Sequence, residues 1–496
     1  MDVVSSFLVK LGRLFYAVNP ASSTFKNVHE VPPYVVEAAH FFVLFIVLER
    51  IILILKGKNK SQINDSITSV SNGLFMEVSK ILFHGIEHVA YFYIYEKWGK
   101  GNLELPWDST WTWVIAAIGM DFGYYWAHRA GHEINLFWAA HQVHHSSEHY
   151  DLTTALRQSV FQGWCTWMFY VPLAFFIPPS HFLVHGSFNL LYQFWIHTEL
   201  IDNIGPLEYI LNTPSHHRVH HGANKYCLDK NYAGVLIIWD RVFGTFEAER
   251  QEEKPIYGLV TPIESFNPLH NQVFYYKAIF DKVLQTDSWS DRFSVIFKGP
   301  GWSKGTKWTG DLSTFPDVKP RKKLHIEIPT WQKYYALLHF LIMIPAYEMF
   351  AGSVKLLTTI QIIGFSLYFL FSLTSIGMIY DNHPMSAICE IIRSAKHLSF
   401  LSELNGTGNS RTKLFLQLIA SPFMVLNNQI QETSKDVDTV LTLQKDTNKE
   451  NEKGLEPTCE NILCFCSVAT TQLEVQQGEL LIALKVPLVR NEEYTL

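Results

Sequence analysis

The sequence predicts an all-α fold, a polytopic bundle of membrane helices with a histidine-rich cap on its cytoplasmic side. Three observations carry this prediction. Hydrophobic residues make up 48% of the 496 residues and charged residues only 17%, a balance typical of membrane proteins. Several apolar stretches reach the roughly 20 residues that a helix needs to cross a bilayer. Histidines gather in clusters that lie outside these stretches.

The elements follow one another along the chain. Residues 1–33 form a weakly amphipathic segment without a small-residue cleavage site, so no removable signal peptide is expected. Three charged residues within the first apolar stretch, Glu37, Glu49 and Arg50, are unfavourable in lipid and should face a cavity or a neighbouring helix. The clearest candidate spans are 34–55, 109–127, 158–178 and 355–380, and the weaker ones are 69–95, 181–197, 334–351 and 412–427.

The charges that flank the first span predict the orientation. Lys56, Lys58 and Lys60 follow this span, and positive flanks favour the cytoplasmic side. If 69–95 crosses the membrane, the loop Glu96–Asp108 is lumenal and 109–127 returns to the cytoplasm. An apolar hairpin that folds at Pro178 then comes back to the side it left. This topology brings every histidine cluster to the cytoplasmic face.

The histidine clusters are the main functional signal. Between Asp121 and His221 lie 13 of the 22 histidines. A single histidine is usually an ordinary core or surface residue, but spacings of three and four repeat here and place imidazoles on one helix face. Imidazole suits borderline transition metals, and eight ligands are too many for one ion, so we expect two metals. The predicted ligands are His128, His132, His141, His144, His145, His217, His220 and His221.

The types of ligand residue restrict which metal is expected to bind. A structural zinc site normally includes cysteine, whereas ligation by imidazole alone suits non-heme iron, although the sequence by itself leaves zinc open. The six cysteines are scattered and predict no disulfide framework, which indicates a reducing compartment. No basic block predicts binding of nucleic acid.

Residues beside the clusters are candidates for catalytic or orienting roles, since carboxylates often orient histidine ligands. Asp121 lies two turns before His128, and Glu133 follows His132 directly. His197 ends the hairpin, where it would be a ninth ligand or an outer donor. The remaining neighbours are candidates for an outer role or for none, namely Glu148, His149, Asp151 and His216, and two histidines should lie away from the site, namely His181 and His185.

The rest of the chain divides by composition. Residues 34–221 should hold membrane helices with the clusters, and 222–330, which are polar and aromatic, should form the cytoplasmic cap. Residues 331–427 should return to membrane helices. Residues 428–496 are polar and charged with little periodicity, which predicts a disordered tail.

The cluster pattern resembles the fatty acid hydroxylase/sterol desaturase superfamily of integral membrane diiron enzymes. His216–Phe246, with HHRVHHG, NYAG and WDRVFGTF, is similar to the third histidine box of that superfamily and its trailing signature. Met120–Ser159 resembles more closely the branch that acts on ether lipids. The resemblance covers roughly residues 30–395, and the chain departs from the family pattern after that.

The resemblance implies an endoplasmic reticulum enzyme whose site faces the cytoplasm, with two iron ions, tetrahydrobiopterin as reductant and O2 as co-substrate. It would hydroxylate alkylglycerols and lyso-alkylglycerophospholipids beside the ether oxygen, and the resulting hemiacetal would collapse to a fatty aldehyde and glycerol. One alternative is a sterol or fatty acid hydroxylase of the same superfamily that uses cytochrome b5. A second alternative, a metal transporter, would place its histidines inside the spans.

Overall fold

The computed structural model describes residues 3–57, 63–83 and 88–394. The regular elements of this part are helices joined by irregular loops, and the described residues form isolated bridges such as Leu211 with Leu236 but no sheet. The predicted all-α class is therefore confirmed. The helices are α1 (Val3–Arg13), α2 (Tyr34–Leu55), α3 (Ile63–Phe83), α4 (Val89–Ile94), α5 (Thr110–Glu133), α6 (Asn135–His145), α7 (Gln162–Thr166), α8 (Pro179–Trp195), α9 (Pro214–His220), α10 (Ile238–Phe243), α11 (Pro268–Leu284), α12 (Trp289–Phe297), α13 (Thr330–Ser353) and α14 (Thr359–Tyr380).

In the described part of the chain, three helical segments are long and apolar enough to cross a membrane. They cover Val28–Leu55, Thr330–Leu356 and Thr359–Tyr380. Apolar side chains on their outer faces, such as Leu55 and Ile360, are exposed, as expected for surfaces that contact lipid. The candidate spans at 34–55, 334–351 and 355–380 thus form membrane-length helices. The one at 412–427 and the predicted tail lie outside the described residues.

The candidate span at 158–178 does not form a single helix. Its residues make α7 and then short 3₁₀ turns at Trp167–Phe169 and Val171–Phe175. Pro172 lacks the N–H that a continuous helix needs, and the turns lie against α5, where a Cβ on Gly123 would be 2.9 Å from the Tyr170 ring. The stretch is therefore a broken apolar segment, in which Phe161, Trp164, Met168 and Phe175 are exposed, and not one regular span.

Two other candidate spans also differ from expectation. The stretch 69–95 is divided between α3 and α4, with residues 84–87 outside the described part. The stretch 109–127 lies within α5, which is not among the three membrane-length apolar helices. Helix α5 carries the buried Asp121 and ends with charged residues and histidines. These polar residues lower the mean hydropathy of α5, and they are there because the helix carries part of the histidine site.

Two apolar clusters hold the helices together. One joins α3, α13 and α14 through residues such as Phe75, Phe340 and Leu373. The other joins α2, α5 and α8 and includes Trp113 and Phe188. Helix α5 packs against α6 and α8, and α6 packs against α11. The helices that carry the histidine clusters are therefore enclosed by other helices.

Candidate metal centre

Nine buried histidines converge into two groups. Within each group the nearest ring nitrogens all lie within 4.8 Å of one another. The structure brings together all eight histidines of the three sequence clusters and adds His197 as the ninth. The first group is His128, His132, His141, His145 and His220, and the second is His144, His197, His217 and His221.

Helix geometry explains how three clusters supply two groups. In α6, His141 and His145 are four residues apart and join the first group, while His144 points to the second. At α9 the division is reversed, because His217 and His221 join the second group and His220 the first. In a helix, residues i and i+4 lie nearly on one line along the axis, and residue i+3 lies to the side of that line. A cluster with this spacing can therefore supply imidazoles to both groups.

Backbone carbonyls fix the orientation of several rings. Nδ1 of His128 lies 2.8 Å from the Tyr232 carbonyl oxygen, and Nδ1 of His144 lies 3.0 Å from that of Arg157. Nδ1 of His197 likewise lies 2.6 Å from the Gln193 carbonyl oxygen. A carbonyl oxygen only accepts, so each Nδ1 carries the hydrogen and each Nε2 carries a lone pair. Such outer contacts are usual for metal-binding histidines.

The ring nitrogens that face one another within each group are positioned to bind cations. Nε2 of His197 is 3.2 Å from Nε2 of His144. Since both rings donate through Nδ1, these two atoms both present lone pairs and cannot form a hydrogen bond with each other. The buried Nε2 atoms of His132, His220 and His221 have no hydrogen-bond partner. A positive ion in each group would satisfy these atoms, so the donor set fits two metal ions.

Burial keeps these imidazoles neutral. It lowers the pKa of His128 to about 3 and that of His144 to about 4. For His132 burial again lowers the pKa, and the neighbouring histidines lower it further. A neutral imidazole is the form that binds metal. The site is therefore ready for metal at neutral pH.

Asp121 does not contact the histidines. Its carboxylate accepts hydrogen bonds from the backbone N–H groups of Val235 and Leu236, at 2.8 and 3.0 Å, and from the Trp239 indole at 2.9 Å. A fourth comes from the Asn189 amide at 3.1 Å. The hydrogen bonds of Asp121 therefore anchor the segment that follows Tyr232, and its role at the site stays a prediction.

A second buried carboxylate holds the same segment from its other end. Asp240 accepts hydrogen bonds from the N–H groups of Tyr232 and Ala233, both at 2.8 Å. Gly234 lies between the two anchors, and a Cβ there would be 2.8 Å from an Asp121 oxygen. Only glycine permits this approach. The two aspartates together place the Tyr232 carbonyl against His128.

Glu133, whose role at the site also stays a prediction, is paired with an arginine. It forms an ion pair with Arg129 at 2.9 Å and is partly exposed. The carboxylate nearest to its neighbour His132 belongs to Asp229, whose Oδ1 lies 3.9 Å from the His132 Nδ1. Burial and the nearby Glu133 raise the pKa of Asp229 to about 7. Asp229 was missed in the sequence because it lies in a loop after the third cluster.

A buried ion pair supports the second group from outside. The Arg157 guanidinium donates to Asp65 Oδ1 at 2.7 Å and to the hydroxyls of Ser69 and Ser146, both at 3.0 Å. The backbone carbonyl of Arg157 is the one that accepts from His144. Helix α3 is thereby connected to a histidine of the site.

The remaining candidates lie outside both groups. Lys323 contacts Nδ1 of His149 at 3.2 Å, and the His216 ring packs against Phe246. Glu148 accepts from the Leu324 N–H at 2.5 Å. These residues connect the cluster loops to the cap 222–330 without reaching the imidazole nitrogens that converge.

Three further expectations concern residues near the membrane. Glu49 accepts hydrogen bonds from the Leu152 N–H at 2.8 Å and from the Thr198 hydroxyl at 2.5 Å. Arg50 lies 3.5 Å from Asp151. As expected, Glu49 and Arg50 face protein, and Glu37 of the same helix pairs with Arg13 of α1 at 2.7 Å. The first two join α2 to the loop after α6 and to the residue after His197.

Comparison with known families assigns two regions of the chain. Residues 113–245 match the fatty acid hydroxylase family, and this range contains all nine histidines. Residues 332–408 match the alkylglycerol monooxygenase C-terminal domain. The family pattern therefore continues past residue 395, where the sequence alone suggested that it ends. No solved structure matches the chain.

Individual relatives agree with this assignment. The chain is 48% identical over 383 residues to alkylglycerol monooxygenase of Homo sapiens, an alignment that covers 77% of this chain and 85% of the human protein. It is 42% identical over 325 residues to that of Caenorhabditis elegans, covering 65% and 60% of the two chains. A more distant relative is the ornithine lipid hydroxylase OlsE of Rhizobium tropici, 30% identical over 142 residues, covering 28% and 43%. The chain belongs to the alkylglycerol monooxygenase family, a group of membrane oxidoreductases.

Proposed function

We propose that this protein is a tetrahydrobiopterin-dependent monooxygenase that cleaves the ether bond of alkylglycerols at two iron ions. The observation that carries the proposal is the convergence of nine buried histidines into two adjacent groups. Membership of the alkylglycerol monooxygenase family supports the substrate class. The products would be a hemiacetal and then a fatty aldehyde with glycerol.

The ligand set favours iron. We assign the first group of five histidines to one ion and the second group of four to the other, His197 included. Neither group includes a cysteine or a carboxylate, and ligation by imidazole alone suits iron better than structural zinc. When bound, the irons would supply activation of O2 for insertion into a C–H bond. The protein holds the imidazoles neutral and buried.

A cleft near the start of α7 is the route that we propose for an alkyl chain. It lies between α3 and α7 and is lined by apolar side chains such as Met76, Val160 and Trp164, together with Ser79 and Lys80. Gln162, at the start of α7, has its side-chain oxygen 3.4 Å from Nδ1 of His141. A lipid tail in this cleft would bring its ether end toward the histidines. We propose this cleft as the entry from the bilayer.

We further propose that the site faces the cytoplasm at the endoplasmic reticulum membrane. The support is the positive flank of α2, where Lys56, Lys58 and Lys60 follow the span. Free alkylglycerols and lyso-alkylglycerophospholipids would both be substrates, since each has a single alkyl chain and a polar head.

The deciding experiment measures fatty aldehyde from an alkylglycerol in membranes that contain the protein. We expect aldehyde only when tetrahydrobiopterin and O2 are both present. His144→Ala serves as the inactive control, because it removes a second-group imidazole, and a partly exposed ion-pair variant, Arg250→Ala, serves as the active one. Turnover that needs cytochrome b5 and ignores the pterin would favour a sterol or fatty acid hydroxylase instead.

A further inference from the structure

Helix α8 carries a buried polar stripe that the site described above does not use. His181, His185, Asn189 and Gln193 follow one another at four-residue intervals, and His197 continues the series just past the helix end. All five are buried, from 0% exposed for His185 to 8% for Gln193. Their neighbours on the buried faces of α8 are apolar, as in Val184, Phe188 and Leu191.

The stripe contains polar atoms without a partner. Such atoms are the Nε2 atoms of His181 and His185, the Oδ1 of Asn189 and the Nε2 of Gln193. Buried polar groups are nearly always hydrogen-bonded to protein or to ordered water. Four successive stripe members with open positions therefore indicate a row of water sites.

The spacing along the helix fits single waters. Four residues rise by about 6 Å, which matches two hydrogen bonds of roughly 2.8 to 3.0 Å through one water. Each step also turns the stripe by about 40°, so it winds slowly around α8. The rings of His181 and His185 are 6.3 Å apart, in agreement with this step.

Three contacts tie the stripe to its surroundings. In its first half the hydroxyl of Tyr16 lies 2.8 Å from Nδ1 of His185. In the middle Asn189 donates to Asp121 at 3.1 Å. At its last step the Gln193 carbonyl accepts from Nδ1 of His197, which belongs to the second histidine group. The stripe thus leads from His181, at the start of α8, to His197 of the candidate metal centre.

We propose that this stripe binds a chain of ordered water molecules that carries protons to the metal centre. The proposal rests on the proposed function, because insertion of one oxygen atom from O2 into a C–H bond reduces the other atom to water. That reduction consumes two electrons and two protons, and the tetrahydropterin releases both when it is oxidised to its dihydro form. The nine imidazoles are buried, so the protons that the pterin releases need a route through the protein to reach the metal centre.

Variants of the stripe that keep the rest of the site provide the first test. Gln193→Met removes the side-chain amide and leaves the backbone carbonyl that contacts His197. His181→Leu interrupts the far end. The matched control is Ser187→Ala on the same helix, whose hydroxyl bonds to the Leu183 carbonyl one turn earlier and lies outside the stripe.

Three quantities are measured for each variant: iron content, melting temperature and aldehyde formation. We expect both stripe variants to retain iron and to turn over about tenfold more slowly. This loss is smaller than the full rate contribution of a positioned proton donor or acceptor. Ser187→Ala should match the parent protein. If the stripe is dry, the apolar replacements remove unsatisfied groups, so they should raise the melting temperature and leave turnover unchanged. That pair of results would overturn the proposal.

A second test does not depend on activity. A high-resolution map of the unaltered holoenzyme should show ordered water between successive stripe side chains. Absence of water there would overturn the proposal even if the protein cleaves ethers. Failure to form aldehyde in the unaltered protein would instead contradict the proposed function, while the map would still decide whether the stripe holds water.

Discussion

Replacement of Arg157 by methionine should both destabilise the fold and weaken metal binding by the second histidine group. The guanidinium donates to Asp65 at 2.7 Å, and the side chains of the two residues are only 3% and 10% exposed. The Arg157 carbonyl also holds His144 at 3.0 Å. Loss of the side chain would leave the Asp65 carboxylate buried without its cation.

The expected magnitude follows from this burial. Breaking a buried ion pair by removing one partner costs about 3–5 kcal/mol. Asp65 retains the Ser147 hydroxyl at 2.6 Å, which places the expected loss toward the lower end of that range. An exposed pair, Lys277 with Asp281, whose side chains are 77% and 44% exposed, supplies the control. Lys277→Met should leave the melting temperature unchanged, because exposed pairs contribute little.

The assay combines melting of the purified protein with iron analysis. Arg157→Met should melt well below the parent and retain less iron. The double variant Arg157→Met with Asp65→Leu should recover part of the stability, since a buried pair replaced by apolar groups is often neutral. The reasoning would be refuted if the double variant were as unstable as the two single losses added together.

Other predictions follow from the same contacts. His197→Ala should abolish turnover and remove the iron of the second group while the protein still inserts in the membrane, as checked by iron analysis of purified protein. Asp121→Asn should lower stability by about 1–3 kcal/mol yet keep part of the iron, because its carboxylate contacts backbone and no imidazole; full loss of iron would argue against this. Deletion of 430–496, beyond the C-terminal family match, should leave specific activity within about twofold, or ~0.4 kcal/mol in the barrier. A glycosylation site introduced in 222–330 should stay unmodified, and its modification would overturn the proposed sidedness.

The sequence revealed the histidine site because its signal is carried by side chains at regular spacing. His128 and His132 are visible in the sequence, and so is the position of His197 at the end of an apolar hairpin. The contacts that orient these rings were not visible, because most are backbone carbonyls. Every residue has a carbonyl, so nothing in the sequence distinguishes Tyr232 or Arg157 as the one that holds a ring.

What the sequence did not show has equally physical causes. Hydropathy measures apolar content but does not show where a helix breaks, which explains why 158–178 resembled one membrane span although Pro172 and two 3₁₀ turns divide it. Asp121 was expected to orient a histidine because it lies two turns before His128 on α5. Its carboxylate meets Val235 and Leu236, more than a hundred residues later, and such a long-range contact has no local pattern.

The number of iron ions bound by the purified protein tests the central claim most directly. We expect two irons per chain in the unaltered protein and about one in a variant that lacks His144 and His197 together, since the five histidines of the first group remain. Iron analysis with a spectroscopic test for magnetic coupling between the ions would measure both. A single iron per chain in the unaltered protein, or bound zinc that supports turnover, would contradict the two-iron account.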